Sequence, residues 1–296
     1  MSQPIRIEND CIRLEVWPTL GGKISSVVDK ADNFELLFNY PAELPTAPQY
    51  DLPYANSWYA GWDECFPAVS ASKYTGHPYD GIAVPDHGEL WGLPTTAVPT
   101  KDGITTVWNG LRFGYRLTRK LYINDATLSA EYTLINLAPF EFRYVWAAHG
   151  LMTSTIPVEI ELTHAPLFRL NHIHDGTEIN QTFEWPMLPD GDASKLAGLP
   201  TRRGWKVFST EPIESEVTVR YPTRGRTVQI AYDTEDDQPA FWGIWINNGG
   251  WNNHRHFAIE PTTGRFDELD RSIKDGSAGR VEPMGRREWS VRWVLA

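Results

Sequence analysis

Apolar and polar residues alternate along most of this chain. A polar residue separates Ile5 from Ile7, and Ile12, Leu14 and Val16 continue the same period of two. This period is typical of a strand with one buried face, because successive side chains of a strand point to opposite sides. The segments with this pattern, or with an apolar run of strand length, are 5–7, 12–16, 24–28, 34–38, 113–117, 121–123, 128–134, 140–148, 158–162, 217–221, 228–232, 241–246, 257–259 and 289–295.

Turn signals between these segments predict how they connect. Asn124-Asp125 and residues 222–225 each lie between two alternating segments, which is typical of a β-hairpin. Segments 39–60, 71–86 and 176–204 have no period and are predicted loops, and residues 267–275 are the best candidate for a helix. So many strands and so little helix predict an all-β fold, a large antiparallel β-sandwich. No composition shift marks a linker, so residues 1–296 are expected to form a single domain.

Composition narrows the class of partner. The formal net charge is -11 and no run of basic residues is present, so a nucleic acid partner is not expected. The two cysteines, Cys11 and Cys65, are too few for a disulfide framework. No segment has the apolar core of a signal peptide or the length of a membrane span, so a cytoplasmic protein without a membrane partner is expected. The 13 Trp and 12 Tyr either fill the core or supply faces on which a sugar can stack.

One carboxylate is set apart by its place in the pattern. Glu260 follows apolar residues 257–259 and precedes Pro261 and Gly264, which predicts a charged group at the end of a strand with little backbone freedom behind it. A catalytic base needs such fixed placement, although a solvated Glu at the start of a loop is the simpler alternative. His87, in a predicted loop, and His149, after segment 140–148, are its candidate partners.

The histidines also raise the possibility of a metal site. Two sets share the His-x-His-x3-Glu spacing of cupin metal sites, namely His172, His174 and Glu178, and His254, His256 and Glu260. Such a set would suit an octahedral metal. The glycines that frame a cupin motif are missing around both sets, so no metal and no other cofactor is predicted. A Gly-rich strand-to-helix loop and a Gly-x-Ser-x-Gly turn are also absent, so nucleotide binding and serine hydrolase chemistry are not expected.

Five segments together resemble the aldose 1-epimerase (galactose mutarotase-like) superfamily. They are residues 18–24 (PTLGGKI), 86–88 (DHG), 146–149 (WAAH), 259–264 (IEPTTG) and 282–289 (EPMGRREW). Each segment is short, but their order and spacing extend over most of the chain. The resemblance implies a large antiparallel β-sandwich whose site lies in a groove on one sheet.

The resemblance also implies a role for each candidate residue. Glu260 would be the base, His149 the general acid, and His87 a second histidine near the sugar's ring oxygen. Such a pair is sufficient to interconvert α and β anomers, because one group takes the proton of the C1 hydroxyl while the other protonates the ring oxygen. The ring then opens, C1 rotates, and the ring closes on its other face. A carbohydrate-binding or sensing protein that kept the fold without catalysis is the alternative function.

The substrate contacts depart from those of galactose-specific members. These carry an Arg within an Asn-Arg-Ile stretch ahead of the first histidine, and residues 58–67 occupy that region here without such a stretch. The residues predicted to bind the sugar by hydrogen bonding, ring stacking or positive charge are Asp63, Glu64, Trp62, Trp91, Lys23 and Arg265. Lys23, Arg255 and Arg265 would hold an anionic C6 group. The expected substrate is therefore an aldohexose or a C6-modified hexose, and the protein is expected to be a monomer or homodimer.

Overall fold

Strands dominate the computed structural model, which describes residues 3–40, 48–101, 103–163, 166–173, 178–212, 216–238 and 240–296. The strands in chain order are β1 (Ile5–Glu8), β2 (Ile12–Trp17), β3 (Lys23–Asp29), β4 (Phe34–Glu35), β5 (Trp62–Cys65), β6 (Ser72–Lys73), β7 (Ala83–Val84), β8 (Thr96–Pro99), β9 (Gly103–Asn109), β10 (Tyr115–Asn124), β11 (Thr127–Asn136), β12 (Phe142–Tyr144), β13 (Ala147–Thr153), β14 (Glu159–Leu162), β15 (Leu167–Ile173), β16 (Glu178–Glu184), β17 (Met187–Leu188), β18 (Gly191–Asp192), β19 (Arg203–Ser209), β20 (Val217–Tyr221), β21 (Arg226–Thr234), β22 (Phe241–Asn248), β23 (Arg255–Thr262), β24 (Gly279–Val281) and β25 (Arg286–Leu295). The described residues contain one α-helix, α1 (Leu269–Asp275), and short 3-10 helices at Pro18–Leu20, Tyr54–Asn56, Leu90–Gly92 and Leu196–Gly198.

Two sheets form the sandwich. The larger has eleven strands in the order β1-β2-β3-β5-β13-β23-β22-β19-β15-β16, with β4 paired to β3. The smaller has eight strands in the order β14-β20-β21-β25-β11-β10-β9-β8. Neighbouring strands within both sheets pair antiparallel. The predicted all-β class and the antiparallel β-sandwich are therefore confirmed.

Aromatic side chains from both sheets fill the space between them. Trp62 of β5 stacks on Trp293 of β25 with ring centroids 5.0 Å apart, and both rings are buried. A charged pair also crosses this core, because Arg119 of β10 donates to Glu64 of β5 at 2.9 Å. Neither side chain reaches solvent, so the pair is stabilised only by its protein partners.

The structure refines several local predictions. The predicted helix is present as α1, but residues 176–204, predicted as a loop, contain β16, β17 and β18 in their described part. The expected strand at 140–148 is two strands, β12 and β13, so His149 lies inside β13 and not after it. Strand β23 runs on through Pro261 to Thr262, so Glu260 lies within the strand. Among the described residues, no helix combines the length and the apolar character that a membrane span requires.

Candidate active site

The pairing of three central strands sets up a row of polar side chains. Asp63 on β5 is the direct partner of His149 on β13. On the other side of β13, the pairs Ala147–Thr262 and Leu151–Ala258 place His149 opposite Glu260 on β23. Directly opposed residues of antiparallel strands share one face. Asp63, His149 and Glu260 therefore lie side by side on the face of the large sheet that points away from the sandwich core.

A lysine from a more distant strand completes this row. Lys206 on β19 forms an ion pair with Glu260, although β22 lies between their strands. The residue of β22 opposite Glu260 is Gly243. A Cβ atom there would lie 3.1 Å from the Phe208 ring and 3.4 Å from the Glu260 Cβ. The absent side chain leaves the room through which the lysine reaches the carboxylate.

The charges in this cluster follow from burial and from the partners. Burial alone would raise the pKa of Glu260, but attraction to Lys206 and His149 outweighs it and lowers that pKa to about 2. Burial would lower the pKa of Lys206, yet the carboxylates of Asp267 and Glu260 raise it. Burial lowers the pKa of His149, and the nearby carboxylate offsets this only in part. At neutral pH the cluster therefore holds an ionised Glu260, a charged Lys206 and a neutral His149.

Each oxygen of the Glu260 carboxylate already has a partner. Oε1 is 3.2 Å from Nδ1 of His149, and Oε2 accepts from Nζ of Lys206. The lysine also forms an ion pair with Asp267, whose Oδ1 is 3.3 Å from its Nζ. All four side chains are buried. The lysine is thus held between two carboxylates and does not depend on Glu260 alone.

His87 reaches the same place from a loop. Its backbone has φ of 57°, and Gly88 follows with φ of 75°, where a Cβ atom would lie 2.1 Å from the carbonyl oxygen of Phe66. Only glycine fits such a position. The ring of His87 stacks on Tyr54 with centroids 3.9 Å apart, and its Nδ1 is 2.9 Å from Oδ1 of Asp86. Its centroid is 5.1 Å from that of His149, so the two predicted histidines are brought together.

These side chains lie around a cleft of about 210 Å³. The polar lining residues include Asp86, His87, His149, Lys206, Asp267 and His172. The aromatic and imidazole walls are Tyr54, Tyr59, Trp245, Trp251 and His256. Glu260 lies behind this lining, fully buried and reached through His149 and Lys206.

The structure corrects the expected sugar contacts of Trp62 and Glu64. Both point from β5 into the sandwich core, because alternate residues of a strand face opposite ways and Asp63 takes the outer side. Trp62 stacks within the core. Glu64 accepts hydrogen bonds from Arg119 at 2.9 Å, from Tyr132 at 2.8 Å and from Trp146 at 2.9 Å. Both residues stabilise the sandwich and neither lines the cleft.

Asp63 and Lys23 lie beside the cleft but are occupied with each other. Lys23 pairs with Asp63 and donates to the carbonyl oxygen of Ala60 at 2.9 Å. Asp63 also accepts from the hydroxyl of Tyr54 at 2.7 Å. Since Tyr54 stacks on His87, this pair positions the loop histidine. Lys23 already has a carboxylate partner, and its role in holding an anionic group stays a prediction.

Trp91 and Arg265 likewise have structural partners. The indole of Trp91 is buried, donates to the carbonyl oxygen of Asp86 at 2.8 Å and packs edge-on against Tyr54. Arg265 makes two hydrogen bonds to Asp275, at 2.6 and 3.0 Å. Neither lines the cleft, so the predicted stacking and anion-binding roles are corrected to supporting ones.

The structure describes only one of the two histidine sets with cupin-like spacing completely. His174 lies outside the described residues, so the first set is not described. In the second, His256 and Glu260 are four residues apart on β23, which separates their Cα atoms by about 13 Å. Nε2 of His256 lies 3.0 Å from the amide of Asn247, and Nδ1 of His254 lies 2.8 Å from the hydroxyl of Tyr59. Histidine and glutamate of this set therefore do not converge on one point.

Sequence reasoning missed Lys206, Asp267, Tyr54 and Asp86 as members of the site. Lys206 lies between Trp205 and Val207 in an otherwise apolar strand, and an unpaired lysine there would be costly to bury. That misplaced charge was the one signal that could have pointed to it. Asp86 belongs to segment 86–88, which is part of the family resemblance, whereas Tyr54 and Asp267 carry no local signal.

Comparison with known proteins bears on the fold. No protein-family model matches the sequence. No curated protein is similar to it. Solved structures are similar over almost the whole chain. The Slr1438 protein from Synechocystis sp. PCC 6803 superposes with a TM-score of 0.75 at 14% identity, covering 100% of this chain and 96% of its own.

Two further matches carry descriptive names. A galactose mutarotase-like protein from Lactobacillus casei ATCC 334 has a TM-score of 0.71 at 15% identity, covering 99% of this chain and 100% of its own. A galactose mutarotase related enzyme from Lactobacillus acidophilus has a TM-score of 0.71 at 14% identity, covering 99% and 97%. At such identities the likeness shows the fold, which is the galactose mutarotase-like β-sandwich that the sequence resemblance implied.

Proposed function

We propose, from this mutarotase-like fold and the buried acid–base cluster under its cleft, that the protein is an aldose 1-epimerase. The observation that carries the proposal is the contact between an ionised Glu260 and His149, 3.2 Å apart, with His149 lining the cleft and Glu260 directly beneath it. Exchange of anomers needs one proton acceptor and one proton donor held in fixed positions. Both groups lie on strands of the larger sheet, which gives the rigid placement that proton transfer requires.

In the proposed reaction Glu260 accepts the proton of the C1 hydroxyl and the protonated form of His149 gives one to the ring oxygen. His87 lies beside His149 and assists at the ring oxygen. Because both oxygens of Glu260 are occupied, the C1 hydroxyl first replaces Lys206, which stays bound to Asp267. Loss of the direct contact with the charged lysine raises the pKa of the carboxylate from its low resting value, so the base becomes stronger once substrate is bound. After rotation about C1, the two groups act in reverse and close the ring.

The proposed substrate is an uncharged aldohexose. Lys206 is the one Lys or Arg among the cleft-lining residues of the described chain, and two carboxylates already neutralise it. Lys23 and Arg265, which would have favoured a charged C6 group, are paired elsewhere. An anionic substituent would therefore lack a cation and face Asp86 and Asp267. The aromatic walls instead suit the apolar face of a sugar ring.

The test is a panel of freshly dissolved single anomers, followed by polarimetry or NMR against the spontaneous rate. Glucose, galactose and their C6-phosphorylated and C6-oxidised forms are compared at equal concentration. We expect catalytic amounts of protein to speed anomer exchange of a neutral aldohexose. Faster exchange of a C6-charged sugar than of every neutral one would contradict the substrate proposal.

A sugar-binding protein without catalysis is the second candidate. It is favoured by the observation that Glu260 is fully buried and that both its oxygens are engaged by protein partners. The two functions differ in one measurement. Sugar binding by calorimetry together with spontaneous rates of anomer exchange would identify the binding protein, whereas rates proportional to protein concentration identify the enzyme.

A further inference from the structure

Three potential metal ligands converge beneath the cleft. Cys65 ends β5, His149 lies on β13, and His87 comes from the loop tied to Phe66 by the bridge between Phe66 and Gly88. The thiol sulfur and one ring nitrogen of each histidine all lie within 4.8 Å of one another. In a tetrahedral zinc site with Zn–S of about 2.3 Å and Zn–N of about 2.0–2.1 Å, ligand atoms are about 3.3–3.6 Å apart. A movement of little more than 1 Å would therefore bring the three into coordination distance.

The two imidazoles are oriented in the manner of metal ligands. Nδ1 of His87 is held by Asp86 at 2.9 Å, and Nδ1 of His149 is held by Glu260 at 3.2 Å. Histidines that bind metals almost always share their other ring nitrogen with a carboxylate or carbonyl, which fixes the ring and increases its basicity. Stacking on Tyr54 further restrains His87. This arrangement is independent of the distance criterion and points to the same kind of ligand.

The charge around the three ligands favours a cation. The ionisable groups that pair with each other or with these histidines are Asp63, Asp86, Glu260, Asp267, Lys23 and Lys206. Four carboxylates and two ammonium groups leave a formal excess of two negative charges. Loss of the Cys65 proton on metal binding would add a third negative charge, and a divalent ion would offset two of the three in a buried place, where charge complementarity matters most. One sulfur and two imidazole ligands favour a borderline-soft ion such as Zn²⁺ over Mg²⁺ or Ca²⁺.

We propose that Cys65, His87 and His149 form a Zn²⁺ site that leaves a fourth coordination position open to the cleft. The cysteine thiol gives up its proton to solvent when the ion binds, and the sulfur and two ring nitrogens become ligands. The cleft is the entry path because both histidines line it. Zinc bound there takes His149 out of proton transfer and acts as an inhibitor. This inhibitory consequence rests on the proposed epimerase function, whereas the binding does not.

Cobalt spectroscopy tests the binding directly. Metal-free, thiol-reduced protein is titrated with Co²⁺, which reports tetrahedral geometry by strong visible bands and thiolate ligation by a near-ultraviolet charge-transfer band. We expect both features at one equivalent of Co²⁺ and their removal by one equivalent of Zn²⁺. Cys65→Ser should lose the charge-transfer band, while Cys11→Ser, which changes the chain's other free cysteine, should keep it. A weak octahedral spectrum, or a charge-transfer band that survives Cys65→Ser, overturns the proposal.

A second variant and an activity assay distinguish failure of the zinc site from failure of the proposed epimerase function. If Cys65→Ser does not fold, as judged by circular dichroism, His87→Gln in the loop takes its place and should also abolish tetrahedral binding. In the anomer assay Zn²⁺ should reduce the catalysed rate about 10²-fold or more, with recovery in EDTA, because a proton-transfer group is lost. Cobalt binding without any catalysed anomer exchange would refute the epimerase and leave the zinc site standing. Catalysed exchange without tetrahedral cobalt would refute the zinc site alone.

Discussion

Replacement of Glu260 by Gln tests the centre of the proposed mechanism. The amide keeps the shape of the carboxylate but loses its charge and its basicity. Removal of a positioned acid or base lowers rates by about 10²–10⁴-fold, so the catalysed part of anomer exchange should fall by that factor. Lys206 keeps Asp267 as its partner at 3.3 Å, so the buried lysine is not left without an anion and the fold should persist.

The loss of unfolding free energy in Glu260→Gln follows from the pKa of the carboxylate. The pKa of Glu260 is lowered from its ordinary 4.5 to about 2. One pKa unit corresponds to about 1.4 kcal/mol, so ionised Glu260 contributes on the order of 3 kcal/mol to the free energy of unfolding at neutral pH. Because the folded pKa is the lower one, this contribution is complete above about pH 4.5 and is lost as the pH falls to about 2. The Gln variant lacks the group, so its unfolding free energy should depend less on pH in this window.

Glu64→Gln is the matched control. Glu64 is also a buried carboxylate paired with a buried cation, but it lies on the core side of β5. Its replacement leaves Arg119 without an anion, and breaking a buried pair costs about 3–5 kcal/mol. We therefore expect Glu64→Gln to lower stability at least as much as Glu260→Gln while kcat and KM stay near wild-type values.

Urea unfolding across pH and anomer exchange by NMR are the two assays. The reasoning is refuted if Glu260→Gln retains a near-wild-type rate while its circular dichroism is unchanged. It is also refuted if the two variants lose activity in proportion to their loss of stability, because the carboxylate would then act only through the fold.

Four further predictions concern the same site. Lys206→Met should raise the pKa of Glu260, because burial then acts without the lysine's charge. The acid limb of the plot of kcat/KM against pH should therefore move from about pH 2 to higher pH. An acid limb that does not move would contradict the pairing of Lys206 with Glu260. His149→Asn should lower kcat by about 10²–10⁴-fold with little change in KM, and His87→Asn should cost less; the reverse order would exchange their roles. Because His149 must be protonated to act as the donor and its pKa lies below 6.5, kcat/KM should fall as pH rises through that lower value, and a rise instead would make it a base. EDTA should not reduce activity, since two protonic groups suffice; loss restored by a divalent metal would refute this.

The sequence by itself determined the class of fold. Apolar residues at a period of two require a solvent face and a core face, and this requirement is local to each strand. The prediction of a strand with one buried face therefore does not depend on which strands pair with it. The same local information located Glu260, His149 and His87, because each lies within a short segment whose order along the chain resembles a known superfamily.

The sequence prediction was wrong where a short segment does not show which of its side chains face the core. Trp62, Asp63 and Glu64 are adjacent in sequence, and their side chains looked equally suited to binding a sugar. The pleat of β5 sends the first and third into the core and the second to the outer face. The absolute direction of that alternation depends on which face of β5 meets the second sheet, and the segment alone does not encode it.

Only the tertiary structure decided what surrounds Glu260. Lys206 is 54 residues away in sequence and lies in a strand that otherwise reads as core. Strand order places β22 between them, the register puts Gly243 opposite the carboxylate, and the missing side chain opens the path for the ion pair. Strand order and register result from non-local pairing across the whole sheet. That is why the sequence pointed to Glu260, His149 and His87 as candidates, whereas it did not show the charge that lowers the pKa of Glu260.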